Sequence, residues 1–240
     1  MAPIRAALIS CLLISAGPSS WRSVARSAKT RRMTTTSPPI PPTTALTDRI
    51  DLGLLHQRVL LLDRELDQEN GAQLSAGLLL LAAEDPHSDI TLLISSPGGL
   101  VPAMLAIGDL IDLVPCDVRT IALGMAYSAG QYLLTHGTPG KRSILPHGRV
   151  LMHQGSAGFG GSAADIEIQA EDLRANRDLL IDITAERTGQ PRERIARDSE
   201  RDRFWSAPDA VAYGFCDQVI TDLREILPMW SAAATTGLGR

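Results

Sequence analysis

The sequence predicts a single α/β domain, and three observations support this class. Short β-rich runs alternate with helical patterns along the chain, as expected where strands are joined by crossover helices. The length of 240 residues suits one domain with short additions, because a single core can hold roughly 200 residues or more. A hydrophobic content of 44% with only 4% aromatic residues indicates an interior of aliphatic side chains.

The individual elements follow in order from the hydrophobic pattern. We predict strands at residues 58–62, 90–95, 118–123 and 149–153, and helices over 69–84, 101–113, 128–136 and from 164 to about 188. Asp165 and Glu167 lie near the start of the long helix, where acidic side chains are favoured by the helix dipole.

Charge and cysteine content exclude several classes of protein. Six of the 23 basic residues precede Asp48, whereas all 27 acidic residues lie from Asp48 onward, which leaves 17 basic and 27 acidic side chains there, net −10. This balance argues against a basic face that binds nucleic acid. The cysteines, Cys11, Cys116 and Cys216, lack metal-type spacing and a disulfide framework, so we expect a reducing compartment, the cytoplasm.

The first 47 residues differ in composition from the rest. Residues 6–16 form an apolar run of eleven, which resembles a weak signal-peptide core and is too short to cross a bilayer. This acid-free stretch also fits an organelle transit peptide or sequence translated from an upstream start, and we favour the last. Met33 then opens a Pro- and Thr-rich stretch typical of a disordered N-terminus. We expect no membrane association.

Two glycine-rich segments follow predicted strands. The first is Pro97-Gly98-Gly99, and the second spans residues 155–161. Ordinary turns explain both equally well, so neither indicates chemistry by itself.

Ser128 lies at a predicted strand-to-helix turn among small residues, in the segment GMAYSAG. Such a turn exposes a hydroxyl, and backbone N–H groups at the helix start can stabilise an oxyanion. A helix N-cap explains the same serine, so the pattern alone leaves both interpretations open.

Candidate partners for this serine come later in the chain. His153 ends a predicted strand, where a histidine is usually structural, and His136 and His147 remain alternatives. Asp202 lies in a charged run whose default interpretation is a solvated surface.

Taken together, these segments resemble the Clp protease proteolytic subunit, across about residues 48–222. The resemblance rests on four runs at the family's order and spacing: ISSPGG at 94–99, GMAYSAG at 124–130, RVLMHQ at 149–154 and DSERDRFWSA at 198–207. Ser128 and His153 are 25 residues apart, and Asp202 follows 49 residues later. The resemblance implies an extension at 1–47, a peptidase domain at 48–222 and a tail at 223–240.

The resemblance also implies a fold and a reaction. The fold is a ClpP/crotonase-like domain of repeated β-β-α units with a protruding strand-helix handle. The activity is that of a serine endopeptidase with Ser128 as nucleophile, His153 as general base and Asp202 as the orienting acid. Backbone N–H groups of Gly99 and Ala129 would form the oxyanion hole, and residues 154–157 would pair with an extended substrate.

The partners implied by the resemblance are other ring proteins. Two heptameric rings of identical or paralogous subunits would stack through the handle, and an ATP-driven ring unfoldase would feed unfolded proteins into the chamber. The peptidase itself is expected to use no cofactor or metal, because ATP belongs to the unfoldase. The chain contains no phosphate-binding GxxxxGK[ST] motif.

Several positions depart from the family pattern. Thr91 and Leu93 occupy the usual aromatic positions of the unfoldase docking pocket, and the N-terminal stretch lacks the usual pore-loop segment. Ala129 stands where methionine is common, and Tyr127, where a small residue is common, is expected to reshape the substrate pocket. The altered docking strand and N-terminal stretch favour a subunit that assembles with a paralogue.

Three other classes compete with this interpretation. An α/β-hydrolase esterase normally places its acid before its histidine, the reverse of the order seen here. A crotonase-type acyl-CoA enzyme would leave Ser128, His153 and Asp202 together unexplained. A poorly active structural or regulatory ring subunit is the strongest alternative, since the altered docking strand favours it and the complete set of three residues opposes it.

Overall fold

The computed structural model describes residues 46–155, 158 and 160–226. Its helices are α1 (Leu46–His56), α2 (Gln68–Glu84), α3 (Val101–Leu113), α4 (Ala129–His136), α5 (Ala163–Thr188), α6 (Arg192–Asp198), α7 (Ala207–Tyr213) and α8 (Leu223–Ile226). Its strands are β1 (Val59–Leu62), β2 (Ile90–Ser96), β3 (Val118–Tyr127), β4 (Arg142–Ile144), β5 (Arg149–Met152), β6 (Arg203–Ser206) and β7 (Gln218–Val219).

The strands form one sheet around the long strand β3. The order β1-β2-β3-β4-β7 is parallel throughout. The first half of β3 pairs with β4, and its second half, Met125–Tyr127, pairs with β5. The short strand β6 then pairs antiparallel with β5. The sheet therefore divides beyond residue 124, and the divided end carries β5 and β6.

Aliphatic side chains fill both faces of the sheet. The larger cluster lies between the sheet and α2, α3 and α4, with Leu62, Ile94 and Leu133 almost fully buried. A smaller cluster on the other face contains Val59, Leu93 and Ile121. Thr91 and Leu93, which depart from the aromatic pattern of the resembled family, are both buried.

The long helix α5 has defined ends and an exposed first half. Ser162 caps its N-terminus through a reciprocal capping box with Asp165, and Gly189 ends it in a left-handed conformation. Its buried residues, Ile181 and Thr184, both lie in the second half. The first half therefore extends away from the core of the described chain.

The predicted α/β class is confirmed, and the predicted strands and helices correspond to β1, β2, β3, β5 and α2 to α5. The largest difference is in β3, which continues to Tyr127 instead of ending at residue 123. The small residues after Gly124 look like a turn in the sequence, but β5 provides a pairing partner for them. No helix in the described ranges is long and apolar enough to cross a membrane.

Candidate active site

Ser128 occupies a strained turn between β3 and α4. Its backbone has φ 53° and ψ −112°, an unusual conformation for a residue with a side chain, and its N–H donates to the Leu151 carbonyl at 2.9 Å. Ser128 is the N-cap residue of α4 by position, but its side chain makes no capping hydrogen bond. The turn instead leaves the hydroxyl free to contact a neighbouring strand.

His153 follows directly after β5, which pairs with β3 beside the serine. Its Nε2 lies 2.9 Å from Ser128 Oγ. The alternatives are not at this position: His147 is exposed, and His136 is buried against Tyr132, Asp112 and Arg187. Of the three candidate histidines, His153 is the one that contacts Ser128.

Asp202 reaches the same histidine because of the register between β5 and β6. Met152 pairs with Arg203 in this antiparallel pair, so Asp202 precedes β6 where His153 follows β5. Asp202 Oδ1 lies 3.1 Å from His153 Nδ1, which completes a chain of two hydrogen bonds from carboxylate to hydroxyl. The Asp202 side chain is 65% exposed and that of His153 is 30% exposed.

A second carboxylate, Asp198, lies four residues before Asp202 in the same charged run. It is buried, where its Oδ2 accepts a hydrogen bond from the Tyr213 hydroxyl at 2.9 Å and its Oδ1 binds Arg203. Desolvation, together with the hydrogen bond to Asp198, raises the pKa of Tyr213 above its usual value. Asp198 therefore anchors the segment that carries Asp202, a role that the sequence analysis missed.

The glycine-rich turn after β2 packs against the serine. A Cβ on Gly98 would lie 2.8 Å from Ser128 Cβ, and a Cβ on Gly99 would lie 2.1 Å from the Leu66 carbonyl oxygen. Leu66 holds the turn through two backbone hydrogen bonds, with the Gly98 carbonyl and the Leu100 N–H, each 2.7 Å long. Side chains are thus excluded at both glycines, and the contribution of Leu66 had no signal in the sequence.

Two backbone N–H groups near Ser128, those of Ala129 and Gly99, are the predicted oxyanion donors. Ala129 is the first residue of α4, where an N–H has no partner within the helix. Gly99 lines the same cavity as Ser128. These are the two donors that the resemblance suggested.

A cavity of about 70 Å³ adjoins Ser128 and His153. Tyr127 does not line this cavity. Its ring instead contacts Phe204 edge-on at 5.6 Å between centroids, because Tyr127 pairs with Leu151 and Leu151 with Phe204 across the three strands.

Part of the predicted substrate strand lies outside the described residues. Gln154 and Gly155 are exposed and line the cavity, whereas Ser156, Ala157 and Phe159 are not described. Among the described side chains, no group of three or more His, Cys, Asp or Glu residues could hold a metal ion.

Comparison with known proteins shows the family. The Clp protease family profile matches residues 44–223. The chain is 49% identical to ATP-dependent Clp protease proteolytic subunit 3 of Streptomyces coelicolor over 187 residues, which cover 78% of this chain and 86% of the relative. It is 50% identical to proteolytic subunit 1 of Corynebacterium jeikeium over 178 residues, 74% of this chain and 95% of the relative. It is also 50% identical to proteolytic subunit 1 of Mycobacterium tuberculosis H37Rv over 177 residues, 74% of this chain and 88% of the relative.

The family profile matches three quarters of the sequence, and the identities near 50% extend over nearly the whole of the relatives. Both comparisons indicate the same family. The chain belongs to the Clp protease family.

Proposed function

We propose that this chain is the proteolytic subunit of an ATP-dependent Clp protease, a serine endopeptidase in which Ser128 is the nucleophile. The observation that carries the proposal is the chain of hydrogen bonds from Asp202 through His153 to Ser128 at the mouth of a cavity. The names of the relatives, proteolytic subunits of ATP-dependent Clp proteases, support the same activity.

The proton transfers follow from the two nitrogen contacts of His153. Nε2 accepts the hydroxyl proton as Ser128 Oγ attacks a peptide carbonyl, and later returns it to the leaving amine. Asp202 Oδ1 accepts a hydrogen bond from Nδ1–H, which fixes the tautomer that leaves Nε2 free to act as base. Water then releases the acyl group by the same transfers in reverse.

Charge that develops on the carbonyl oxygen needs donors that are already in place. We assign this role to the backbone N–H groups of Gly99 and Ala129, because an oxyanion hole of fixed backbone donors requires no reorganisation during the reaction. The strained backbone at Ser128 directs its hydroxyl toward the same cavity. No bound cofactor or metal takes part in this scheme.

The assembly we propose is a pair of stacked heptameric rings, in which α5 and the preceding glycine-rich segment form the contact between rings. Exposed apolar side chains in the first half of α5, Ile166 and Ile168, support this role, because a protruding helix would otherwise leave them in water. Substrates would be unfolded proteins supplied by an ATP-driven ring unfoldase. The peptidase domain would span 48–222, with an extension before it and a tail after it.

A second candidate function is that of a poorly active ring subunit within a mixed assembly. Thr91 and Leu93 favour it, because both positions lack aromatic rings and are buried in the fold. Relatives are numbered as proteolytic subunits 1, 2 and 3. A mixed assembly whose peptidase rate is unaffected by Ser128→Ala in this chain would favour the second candidate.

We also propose a cytoplasmic location. Both described cysteines, Cys116 and Cys216, are free and buried, which fits a reducing compartment. Burial raises the pKa of the Cys216 thiol to about 12, so it is a poor thiolate nucleophile.

The direct test of the proposed function is Ser128→Ala, with hydrolysis of short fluorogenic peptides as the readout. We expect loss of turnover to background, while Ser95→Ala, a half-buried serine at the end of β2 with no side-chain hydrogen bond in the described residues, keeps activity. Unchanged peptide hydrolysis in the Ser128→Ala protein would contradict the assignment.

A further inference from the structure

The cavity beside Ser128 is placed to receive one substrate side chain. It lies between α3, α4, α5 and α6 and has a volume of about 70 Å³. Roughly 10–15 Å³ of such space holds one water molecule, so there is room for a side chain of several heavy atoms. If Ser128 attacks as proposed above, the residue that supplies the scissile carbonyl, here called the acyl-side residue, directs its side chain into this cavity.

Most of the cavity wall is apolar, but some of its buried side chains are polar. Met104, Met152 and Ile195 are each almost completely buried. Gln131, at 4% exposure, and Thr184, at 6%, lie in the same wall. A buried amide is costly unless its hydrogen bonds are made, so Gln131 requires an explanation.

Gln131 is three residues after Ser128 and lies on the first turn of α4, the side of the helix that carries the serine. Its Nε2 donates to Thr135 Oγ1 at 3.1 Å, and that hydroxyl donates to the Gln131 carbonyl at 2.8 Å. Within the described residues, Gln131 Oε1 accepts no hydrogen bond, and the second hydrogen on Nε2 has no acceptor. The side chain thus retains one acceptor and one donor beside the nucleophile.

Charged acyl-side residues suit this cavity poorly. Arg177 lines it, with its guanidinium bound to Asp178 at 2.8 Å, and its positive charge disfavours lysine and arginine. An ionised group would also lose its hydration among the apolar walls.

We propose that Gln131 is a specificity-determining residue that selects an acyl-side residue with an uncharged amide at the end of an apolar stem, as in glutamine. The substrate amide would donate to Gln131 Oε1 and accept from the free Nε2–H. An aliphatic residue would leave both groups unpaired, and sites built around hydrogen bonds discriminate strongly against ligands that cannot make them. This inference rests on the proposed function and deepens it.

The test uses two peptidyl phosphonates that are identical except for a glutamine or a leucine side chain at the acyl-side position. The rate of adduct formation is measured by mass spectrometry on the peptide that contains Ser128, so other subunits in the assembly do not contribute. Gln131→Met, which keeps the approximate volume and removes the amide, should lower the ratio of glutamine to leucine labelling by about tenfold or more. Gln131→Leu serves as a second variant if the first assembles poorly.

Three outcomes decide the inference. A ratio that falls in the variants supports it, and a ratio that stays as in the unmodified chain overturns it while leaving the nucleophile assignment intact. If neither probe attaches to Ser128 in the unmodified assembly, the proposed function fails and the inference fails with it.

A third probe with a glutamate side chain, which has the same length as glutamine, tests whether the cavity recognises the amide or only the length of the side chain. We expect it to label Ser128 at least about tenfold more slowly than the glutamine probe, because a carboxylate must lose its hydration. Equal rates for glutamate and glutamine would overturn selection by the amide.

Discussion

At the scale of residues, the chemistry depends on three side chains whose separate signals are weak. In the sequence, Ser128 could equally be a helix cap or a nucleophile. In the structure its backbone has a positive φ, and its hydroxyl contacts His153 rather than capping the helix. Asp202 and Asp198 are both acids in one charged run, and only the register of β6 on β5 decides which one reaches the histidine. Register depends on long-range pairing, so charge and hydrophobic patterns alone could not make this choice, which the family resemblance made instead.

Loss of the histidine should be more severe than loss of the orienting acid. We expect His153→Ala to lower kcat by about 10⁶ and Asp202→Asn by about 10⁴ or less, since triad members act as a unit and the acid contributes least. The exposure of Asp202 weakens its field at the imidazole through solvent screening. Steady-state kinetics on a short peptide measure both, and an Asp202→Asn loss equal to that of His153→Ala would contradict the orienting role.

The buried histidine His136 should make stability sensitive to acid. Burial, then the neighbouring Arg187, lowers its pKa from 6.5 to about 4, although Asp112 opposes this. The unfolded state therefore binds the proton more readily, and stability present above about pH 6.5 is lost as pH falls toward 4.

Denaturant unfolding across this pH window measures the effect. In His136→Gln the decline of the unfolding free energy between pH 6.5 and pH 4 should be shallower than in the unmodified chain, whereas His147→Gln, at an exposed histidine, should keep the original slope. Identical slopes in all three proteins would show that His136 does not carry the effect. The histidine's Nδ1 is buried without a partner in the described residues, which favours the neutral ring stacked on Tyr132.

At the scale of elements, segments with a clear hydrophobic pattern were predictable and segments without one were not. The helices α2, α3 and α5 have clear patterns and end signals, and the apolar runs of β1 and β2 are recognisable. By contrast, β4, β6 and β7 contain three, four and two residues, and each exists because a neighbouring strand offers hydrogen bonds. Their sequences, RSI, RFWS and QV, contain no apolar run that would identify a strand.

The exposed half of α5 gives an element-scale prediction about assembly. Ile168 is 65% exposed in the first half of the helix. If this surface is buried between rings, Ile168→Asp should convert double rings to single rings, because an unpaired charge in an apolar contact is costly. Sedimentation velocity measures the particle size.

The matched control for this variant is Gln169→Asp, which adds the same charge at the next exposed position and keeps the apolar surface. It should assemble as the unmodified chain does. Double rings in the Ile168→Asp protein would exclude this face of α5 from the contact.

At the scale of the whole molecule, the features that place the active site are distributed over the chain. The nucleophile follows β3 where the sheet divides, the base follows β5, and the acid precedes β6. The cavity lies between the helices α3 to α6. Family membership follows from sequence alone at this similarity, whereas the buried state of Thr91 and Leu93 and the partner of Gln131 required the fold.

The central claim is that Ser128 is a nucleophile activated by His153. The most direct measurement is mass spectrometry of the assembled protein after reaction with a serine-directed peptidyl phosphonate, at neutral pH, for the unmodified chain and His153→Ala. The account predicts a stoichiometric adduct on Ser128 in the unmodified chain and almost none in His153→Ala. An adduct on a different serine, or labelling of Ser128 at the same rate without His153, would contradict it.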